Sequence, residues 1–268
     1  MLYCRDEEEH ISKVLDSLFN QSVPFDEVIL VDDASIDKTL HIAHNYGCNV
    51  VKLTDRHPSY IGLAQLANIV NKGVEEIYKY SNVDFWMNTC GDIVLEKNYN
   101  EILLSKFEDN PNLVVGGGTI EGEHSFETHP RGAGRFYLFS YWDKYVKRYP
   151  VLFTWESYPV YKALSLGFET RSFKKPVMYA LRESRTVKGF YKWNYGVAMR
   201  EFGFFPPYAI GRCLFAILHD HKIGFYMLKG YIFFHRETYD PYIRKWFSER
   251  QRLNLFKSFL RKIKLLDS

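Results

Sequence analysis

The sequence predicts an α/β fold built on a doubly wound, mainly parallel sheet flanked by helices. Short apolar runs with the length of buried strands alternate with segments of helical periodicity along the first 120 residues. Polar clusters directly follow three of these runs, and parallel strands bring such ends to one ligand-binding edge of a sheet. No internal repeat or linker-like stretch interrupts the chain, and its 268 residues suggest one large α/β domain, or one domain with an appendage.

The predicted elements alternate in the order that a parallel sheet requires. They are a helix over 7–20, a strand over 27–31, a helix from 38 to about 46, a strand over 49–53, a helix over 61–80, a strand over 84–89, a helix over 98–108 and a strand over 113–119. The first helix is indicated by Ile11, Val14 and Leu15 on one face. Ser35 or Asp37 can cap the second.

The second half of the chain is less regular. A glycine- and histidine-rich loop over 121–134 precedes predicted helical segments over 136–147 and 158–166, and three helices follow near 208–219, 224–235 and 242–264. We therefore expect a main domain over residues 1–206, with halves at 1–120 and 121–206. A helical, aromatic and basic extension over 207–268 completes the chain.

Composition excludes several classes of protein. Hydrophobic residues make up 46% and charged residues 25% of the 268 residues, which excludes disordered and collagen-like chains. A net charge of +3 gives no general reason to bind nucleic acid. Four cysteines without a C-x-x-C pair favour a reduced, cytoplasmic protein. Charge at Arg5 and Asp6 argues against a signal peptide, and no 18-residue apolar window lacks charge.

Two interpretations are open for the acids at the predicted strand ends. Asp32 and Asp33 could cap and stabilise the next helix, or could hydrogen-bond a nucleotide base and ribose. Asp92, after Cys90 and Gly91, could be a turn residue, or a hard oxygen ligand for Mg²⁺ or Mn²⁺ that bridges to phosphates.

Two groups in the second half carry the same ambiguity. Trp155 and Glu156 could be a packing ring beside a helix-start acid, or an aromatic platform beside a general base. Arg131 and Arg135 flank a glycine-rich turn and could hold phosphates, or belong to a mobile loop. The absence of a P-loop and of a dinucleotide-binding glycine motif argues against NTPases and dehydrogenases.

Several segments together resemble the family 2 glycosyltransferases, which invert the anomeric centre and have the GT-A fold. The strongest likeness is that of residues 31–39, Val-Asp-Asp-Ala-Ser-Ile-Asp-Lys-Thr, to that family's V-D-D-G-S-x-D-x-T. Residues 4–11 resemble its A-R-N-E-E-x-x-I segment, 71–73 resemble N-x-G, 90–92 lie where its D-x-D metal motif belongs, and 155–156 resemble its acidic base region. The resemblance covers residues 4–167 well.

The resemblance implies roles for the matching residues. Asp32 and Asp33 would hold the uracil or guanine and the ribose of a nucleotide-sugar donor, with Arg5 and Glu7 beside the nucleoside. Asp92 would bind Mn²⁺ or Mg²⁺ against the diphosphate.

Further roles are implied for the second half. Glu156 would deprotonate the acceptor hydroxyl, so that direct attack inverts the anomeric carbon. Arg182 and Arg185 lie where related enzymes often carry a basic residue near the diphosphate. Trp155, Arg131 and Arg135 are further candidates for contacts to diphosphate or acceptor.

Several positions depart from the family pattern. Ala34 replaces a glycine, and Cys90, a soft ligand, replaces the first acid of D-x-D. Ser157 stands where a second acid often follows the base.

The end of the chain has a different chemistry from the rest. Residues 209–268 carry 12 Lys and Arg against 5 Asp and Glu, and over 244–265 the cations alternate with aromatic and aliphatic residues. A basic amphipathic helix of this kind can lie on an anionic bilayer, or can pack on the domain with a solvated basic face.

The sequence as a whole predicts an inverting, metal-dependent glycosyltransferase. We expect a UDP- or GDP-sugar donor, a glycan or polyprenyl-linked acceptor, no nucleic acid, and a peripheral position on the cytoplasmic face of the membrane. The alternatives are a catalytically impaired nucleotide-sugar-binding protein, which Cys90 and Ser157 favour, and a membrane-surface scaffold.

Overall fold

A computed structural model describes residues 1–182, 191–234 and 240–266 of the chain. Contacts divide the chain into a first unit, Met1–Val151 with Trp155–Arg185, and a second unit, Leu152–Thr154 with Thr186–Ser268. The helix over 191–201 therefore groups with the later helices, whereas the sequence assigned residues up to 206 to the main domain.

The described residues form eight strands and ten helices. In chain order they are β1 (Leu2–Cys4), α1 (Ile11–Phe19), β2 (Ile29–Asp32), α2 (Thr39–Asn45), β3 (Asn49–Lys52), α3 (Leu66–Ile77), β4 (Phe85–Cys90), β5 (Ile93–Leu95), α4 (Tyr99–Glu108), β6 (Leu113–Ile120), β7 (Arg135–Leu138), α5 (Phe139–Tyr145), α6 (Tyr158–Ser165), β8 (Glu169–Ala180), α7 (Tyr191–Glu201), α8 (Pro206–His219), α9 (His221–Phe233) and α10 (Pro241–Leu266).

One sheet carries the first unit, with the strand order β3-β2-β1-β4-β7-β6-β8-β5. Strands β1 to β4 pair in parallel, as the sequence predicted. Beyond β4 the sheet is mixed, because β7 is antiparallel to β4 and β6, and β8 is parallel to β6 but antiparallel to β5. The α/β class with flanking helices is confirmed, and the mainly parallel character holds for the first half.

Two predicted helices begin later than expected. Residues 135–138 form β7, because pairing places Phe136 opposite Met87 and Tyr137 opposite Trp86 and buries both rings, so sheet contacts decide the local conformation. Helix α3 begins at Leu66 rather than near residue 61. The long strand β8 was not predicted.

Helix α3 lies close against the sheet through two residues of the Asn71-Lys72-Gly73 segment. A Cβ at Gly73 would lie 2.6 Å from Cγ of Met1 and 2.8 Å from Cγ2 of Val31, so glycine permits the close approach. The buried Asn71 amide donates to the Tyr149 carbonyl and accepts from the Tyr149 N–H, both at 2.8 Å. This motif therefore has a packing role.

The second unit contains the three C-terminal helices that the sequence predicted, α8, α9 and α10, together with α7. None of the helices within the described segments is both long and apolar enough to cross a bilayer. Helices α7 and α9 touch through backbone at Gly196 and Gly230: a Cβ at Gly196 would overlap the Met227 carbonyl oxygen, and one at Gly230 would overlap the Trp193 carbonyl oxygen.

We expect Gly196→Ala to lower the free energy of unfolding by about 2 kcal/mol or more, because the added methyl meets rigid backbone and forces α7 and α9 apart. Urea unfolding monitored by circular dichroism measures this change. Gly211→Ala is the matched control, since no atom of the described residues lies within 4 Å of its added Cβ. Equal stability of the two variants would contradict the close helix contact.

Candidate active site

Asp32 is the last residue of β2 and is fully buried. Its Oδ2 accepts a 3.3 Å hydrogen bond from the Ser35 N–H, whereas Oδ1 has no hydrogen-bond partner among the described residues. A buried carboxylate oxygen without a donor is costly. A ligand N–H or O–H that reached Oδ1 would remove this cost.

Asp33 is held between two basic side chains. Arg5 donates from Nε to the Asp33 carbonyl at 2.8 Å and contacts Oδ2 from Nη2 at 2.5 Å, while His57 Nε2 lies 3.0 Å from Oδ1. The His57 ring stacks on Tyr60, with centroids 3.6 Å apart. The structure thus brings the predicted Arg5 and Asp33 together and adds His57 and Tyr60, which no motif marked.

The loop after β2 has a strained residue where the family pattern has glycine. Ala34 has φ +56°, in the left-handed region that glycine adopts without steric cost. Arg56 holds the loop by donating to the Ala34 carbonyl at 2.7 Å and to Asp6 Oδ2 at 2.6 Å. The hydrogen bond from Arg56 lowers the pKa of Asp6.

Arg182 joins two acids that are far apart in the sequence. Its Nε donates to Asp92 Oδ2 at 2.7 Å, and its Nη2 pairs with Glu7 Oε1. Burial raises the pKa of Glu7, which is 6% exposed, and the Arg182 charge opposes that rise. Gly91 allows the segment before Asp92 to lie close to Cys4 at the end of β1, because a Cβ at Gly91 would lie only 2.7 Å from Cβ of Cys4. All three predicted residues therefore meet at one place.

The donor atoms beside Asp92 decide whether a metal fits. Burial, followed by the nearby Asp92 carboxylate, raises the pKa of Cys90 well above its usual value, so the thiol stays protonated and is a poor ligand. In the described part of the chain, no group of three or more His, Cys, Asp or Glu could hold a metal ion. Asp92 alone suits Mg²⁺ or Mn²⁺ whose other ligands are phosphate oxygens and water.

Glu156 lies in the turn before α6, against the loop that precedes β7. A Cβ at Gly132 would overlap Glu156 Oε1, so the carboxylate occupies space that only glycine leaves open. Burial raises the pKa of Tyr3 well above its usual value, and the nearby carboxylates of Glu156 and Asp92 add to this rise. Tyr3, which the sequence analysis did not single out, therefore lies among the candidate base and the candidate metal ligand.

The position after Glu156 is neutral. Ser157 Oγ lies 3.0 Å from Nε2 of His129, and burial lowers the pKa of His129 to about 4. The departure from the family pattern at Ser157 therefore places an uncharged pair beside Glu156 at neutral pH.

Arg135 is a buried structural residue and not a loop cation. It is 1% exposed, and its guanidinium donates to the backbone carbonyls of Pro130, Arg131 and Glu156, the last at 2.5 Å. These bonds tie the loop before β7 to the turn that carries Glu156. The contact between Arg135 and phosphate stays a prediction, and this buried guanidinium already donates to three backbone carbonyls.

The other candidate contacts lie in different surroundings. Trp155 is 5% exposed and packs edge-on against Tyr149, with ring centroids 4.9 Å apart. The ring is therefore part of the core in this structure and does not form an exposed platform. Arg131 is exposed and pairs with Glu123, and its phosphate contact stays a prediction. Arg185 lies outside the described residues.

Comparison with known proteins points to one family. The model of glycosyl transferase family 2 matches residues 2–163. The 4,4'-diaponeurosporenoate glycosyltransferase of Staphylococcus aureus (strain USA300) is 43% identical over 51 residues, which are 19% of this chain. The chain spans 13% of the length of the curated relatives it matches.

Two solved structures share the fold. A fragment of S. aureus TarS (1–349) in complex with UDP-GlcNAc has a TM-score of 0.56 and 16% identity, covering 88% of this chain and 74% of that one. The mannosyltransferase PcManGT of Pyrobaculum calidifontis, in complex with GDP-Man and Mn²⁺, has a TM-score of 0.55 and 15% identity, covering 85% and 72%. These likenesses confirm the predicted GT-A fold.

We expect Gly132→Ala to reduce sugar transfer about tenfold or more, because the added methyl displaces the Glu156 carboxylate from its present position. The thermal midpoint and the nucleotide affinity should not change, since a flexible side-chain end can move aside. Steady-state kinetics, calorimetry and a thermal melt measure the three quantities, with Gly211→Ala as control. An unchanged transfer rate would contradict the importance of this close approach.

We expect Arg182→Ala to strengthen Mn²⁺ binding in the absence of nucleotide, because it frees Asp92 Oδ2 from its ion pair. The pair is partly exposed, so the gain should be about fivefold. Electron paramagnetic resonance of free Mn²⁺ measures the dissociation constant. Arg171→Ala, which removes a surface pair with Glu127, is the control and should change nothing. Weaker Mn²⁺ binding in Arg182→Ala would show that the guanidinium does not compete with the metal.

Proposed function

Because this chain belongs to glycosyl transferase family 2, we propose that it transfers a sugar from a UDP- or GDP-sugar to an acceptor hydroxyl, with inversion of the anomeric carbon. The observation that carries the proposal is the convergence of Asp92, Arg182 and Glu7 at the sheet edge where β1, β2 and β4 end. Ligands of parallel sheets bind beyond this edge.

The donor nucleoside would bind at the ends of β1 and β2. Oδ1 of Asp32, which has no hydrogen-bond partner within the described part of the chain, would accept a hydrogen bond from the base. Asp33, held by Arg5, would contact base or ribose. TarS and PcManGT were solved with UDP-GlcNAc and GDP-Man respectively, which supports a uridine or guanosine nucleotide.

The diphosphate would bind beside Asp92, which would hold Mn²⁺ or Mg²⁺. When bound, such a metal neutralises the charge that develops on the leaving diphosphate. The Arg182 guanidinium, already at Asp92, would supply a second positive group to the phosphates. The PcManGT complex contains Mn²⁺, which supports a divalent cation here.

Glu156 would act as the general base. It would take the proton of the acceptor hydroxyl as that oxygen forms a bond to the anomeric carbon on the face opposite the diphosphate. The bond from the anomeric carbon to the phosphate oxygen breaks, and the nucleoside diphosphate leaves with the electron pair. Arg135 would act as a positioning residue, because it holds the Glu156 backbone carbonyl.

The acceptor would be a lipid-linked sugar or a polysaccharide, reached at the cytoplasmic face of an anionic membrane. The basic and aromatic sequence of residues 209–268 supports a place at such a surface.

A catalytically impaired nucleotide-sugar-binding protein is the second candidate, favoured by the protonated Cys90 thiol beside Asp92 and by neutral Ser157 beside Glu156.

One pair of variants tests the proposal. We expect Glu156→Gln to bind UDP or GDP with Mn²⁺ as the unmodified chain does, but to release nucleotide from the donor sugar, with water as acceptor, at least about 100-fold more slowly. Asp92→Ala should lose the part of nucleotide binding that depends on Mn²⁺. Calorimetry, with EDTA as the metal-free control, measures binding.

The outcomes separate the two candidates. Equal donor turnover by Glu156→Gln and the unmodified chain would contradict the role of Glu156. Nucleotide-sugar binding without turnover in the unmodified chain would favour the binding protein. No binding of either nucleotide would contradict both candidates.

A further inference from the structure

Helices α8 and α9 expose an unusual number of large apolar side chains. Over Pro206–Phe233 they are Ile210, Leu214, Phe215, Leu218, Phe225, Tyr226, Ile232 and Phe233, which together are called the hairpin face. Leu218 is 83% exposed, and Phe215 and Phe233 are each 64% exposed. Exposed apolar side chains in such density mark a surface that binds a protein or a membrane.

The hairpin face is the side of each helix that the described residues of the second unit leave exposed. On α8, Ile210, Leu214 and Leu218 follow one another at intervals of four and form a stripe, while Ala209 and Cys213 are buried on the opposite side. On α9 the buried residues are Gly224, Met227, Gly230 and Tyr231. Both helices are therefore packed on one side and apolar on the other.

Cations lie among these apolar residues. The segment Pro206–Phe233 contains Arg212, Lys222 and Lys229 but only one acid, Asp220. The Asp220 carboxylate accepts a 3.1 Å hydrogen bond from the Ile223 N–H and caps α9. Aromatic rings beside Lys and Arg suit the boundary between lipid headgroups and acyl chains, and the excess of positive charge suits anionic lipids.

We propose that the hairpin face binds an anionic lipid bilayer, with Phe215, Leu218 and Phe225 in the boundary between headgroups and acyl chains. The inference rests on the proposed function, because it identifies the surface by which the transferase reaches a membrane-borne acceptor. It assigns this contact to α8 and α9, within the extension over 207–268 for which the sequence predicted a membrane-surface position.

Vesicle sedimentation of the full chain tests the proposal. Vesicles of phosphatidylcholine alone are compared with an equimolar mixture of phosphatidylcholine and phosphatidylglycerol. Phe215→Ser should weaken binding to the mixed vesicles about fivefold or more, because an inserted ring is lost. Phe126→Ser is the matched control, since Phe126 is 69% exposed but lies in the first unit, and its binding should not change.

A charge variant tests the choice of lipid. Lys222→Gln combined with Lys229→Gln should weaken binding to the mixed vesicles and leave the weak binding to phosphatidylcholine unaltered. Equal binding of all variants to both kinds of vesicle would overturn the proposal. A dimer that Phe215→Ser converts to a monomer, with vesicle binding unchanged, would also overturn it and would assign the hairpin face to self-association.

Calorimetry with UDP and GDP distinguishes a failure of the membrane surface from a failure of the proposed function. All hairpin variants should bind nucleotide as the unmodified chain does, which also shows that they are folded. If no chain binds nucleotide but Phe215→Ser still loses vesicle binding, the proposed function fails and the membrane surface stands. If nucleotide binds but Phe215→Ser and Phe126→Ser bind vesicles equally, only the membrane surface fails.

Discussion

The parallel pairing of β1 with both β2 and β4 is the constraint on which the candidate site depends. Its register places Cys4 beside Asp32 and Tyr3 beside Cys90, so that three strand ends meet at one edge. Each strand is followed within two residues by a charged residue, and the sheet holds these charges together before any ligand binds. The site is therefore a property of strand register more than of any single motif.

Acids gathered in this way repel one another, and arginines on other segments balance them. Arg5 pairs with Asp33, and Arg182 reaches from beyond β8 to pair with Glu7 and Asp92. Because each guanidinium makes directional bonds to carboxylates, the arginines also orient the acids they neutralise. A nucleoside diphosphate with a divalent cation would carry both signs of charge. Its phosphates would pair with an arginine and its cation with a carboxylate, so that no charge at this site would be left unpaired.

The sequence predicted the parts of the structure that depend on local pattern. Strand β2, helix α1 and the three C-terminal helices follow from apolar periodicity, and the GT-A fold followed from motif resemblance. The burial of Arg135 could not be predicted from the sequence, because it depends on carbonyls that the chain brings to it in three dimensions. Gly132 beside Glu156 depends in the same way on a contact between separate segments.

The two hydrogen bonds between Asn71 and Tyr149 fix the backbone of an irregular segment in the core, against helix α3. Tyr149 belongs to no helix or strand, yet it is fully buried and its N–H is bonded to a buried side-chain amide. Its amide hydrogen can exchange with solvent only when α3 separates from this segment. In a hydrogen-exchange experiment Tyr149 would therefore be protected like the centre of α3, and the boundary between slow and fast amides would not follow the boundary of secondary structure.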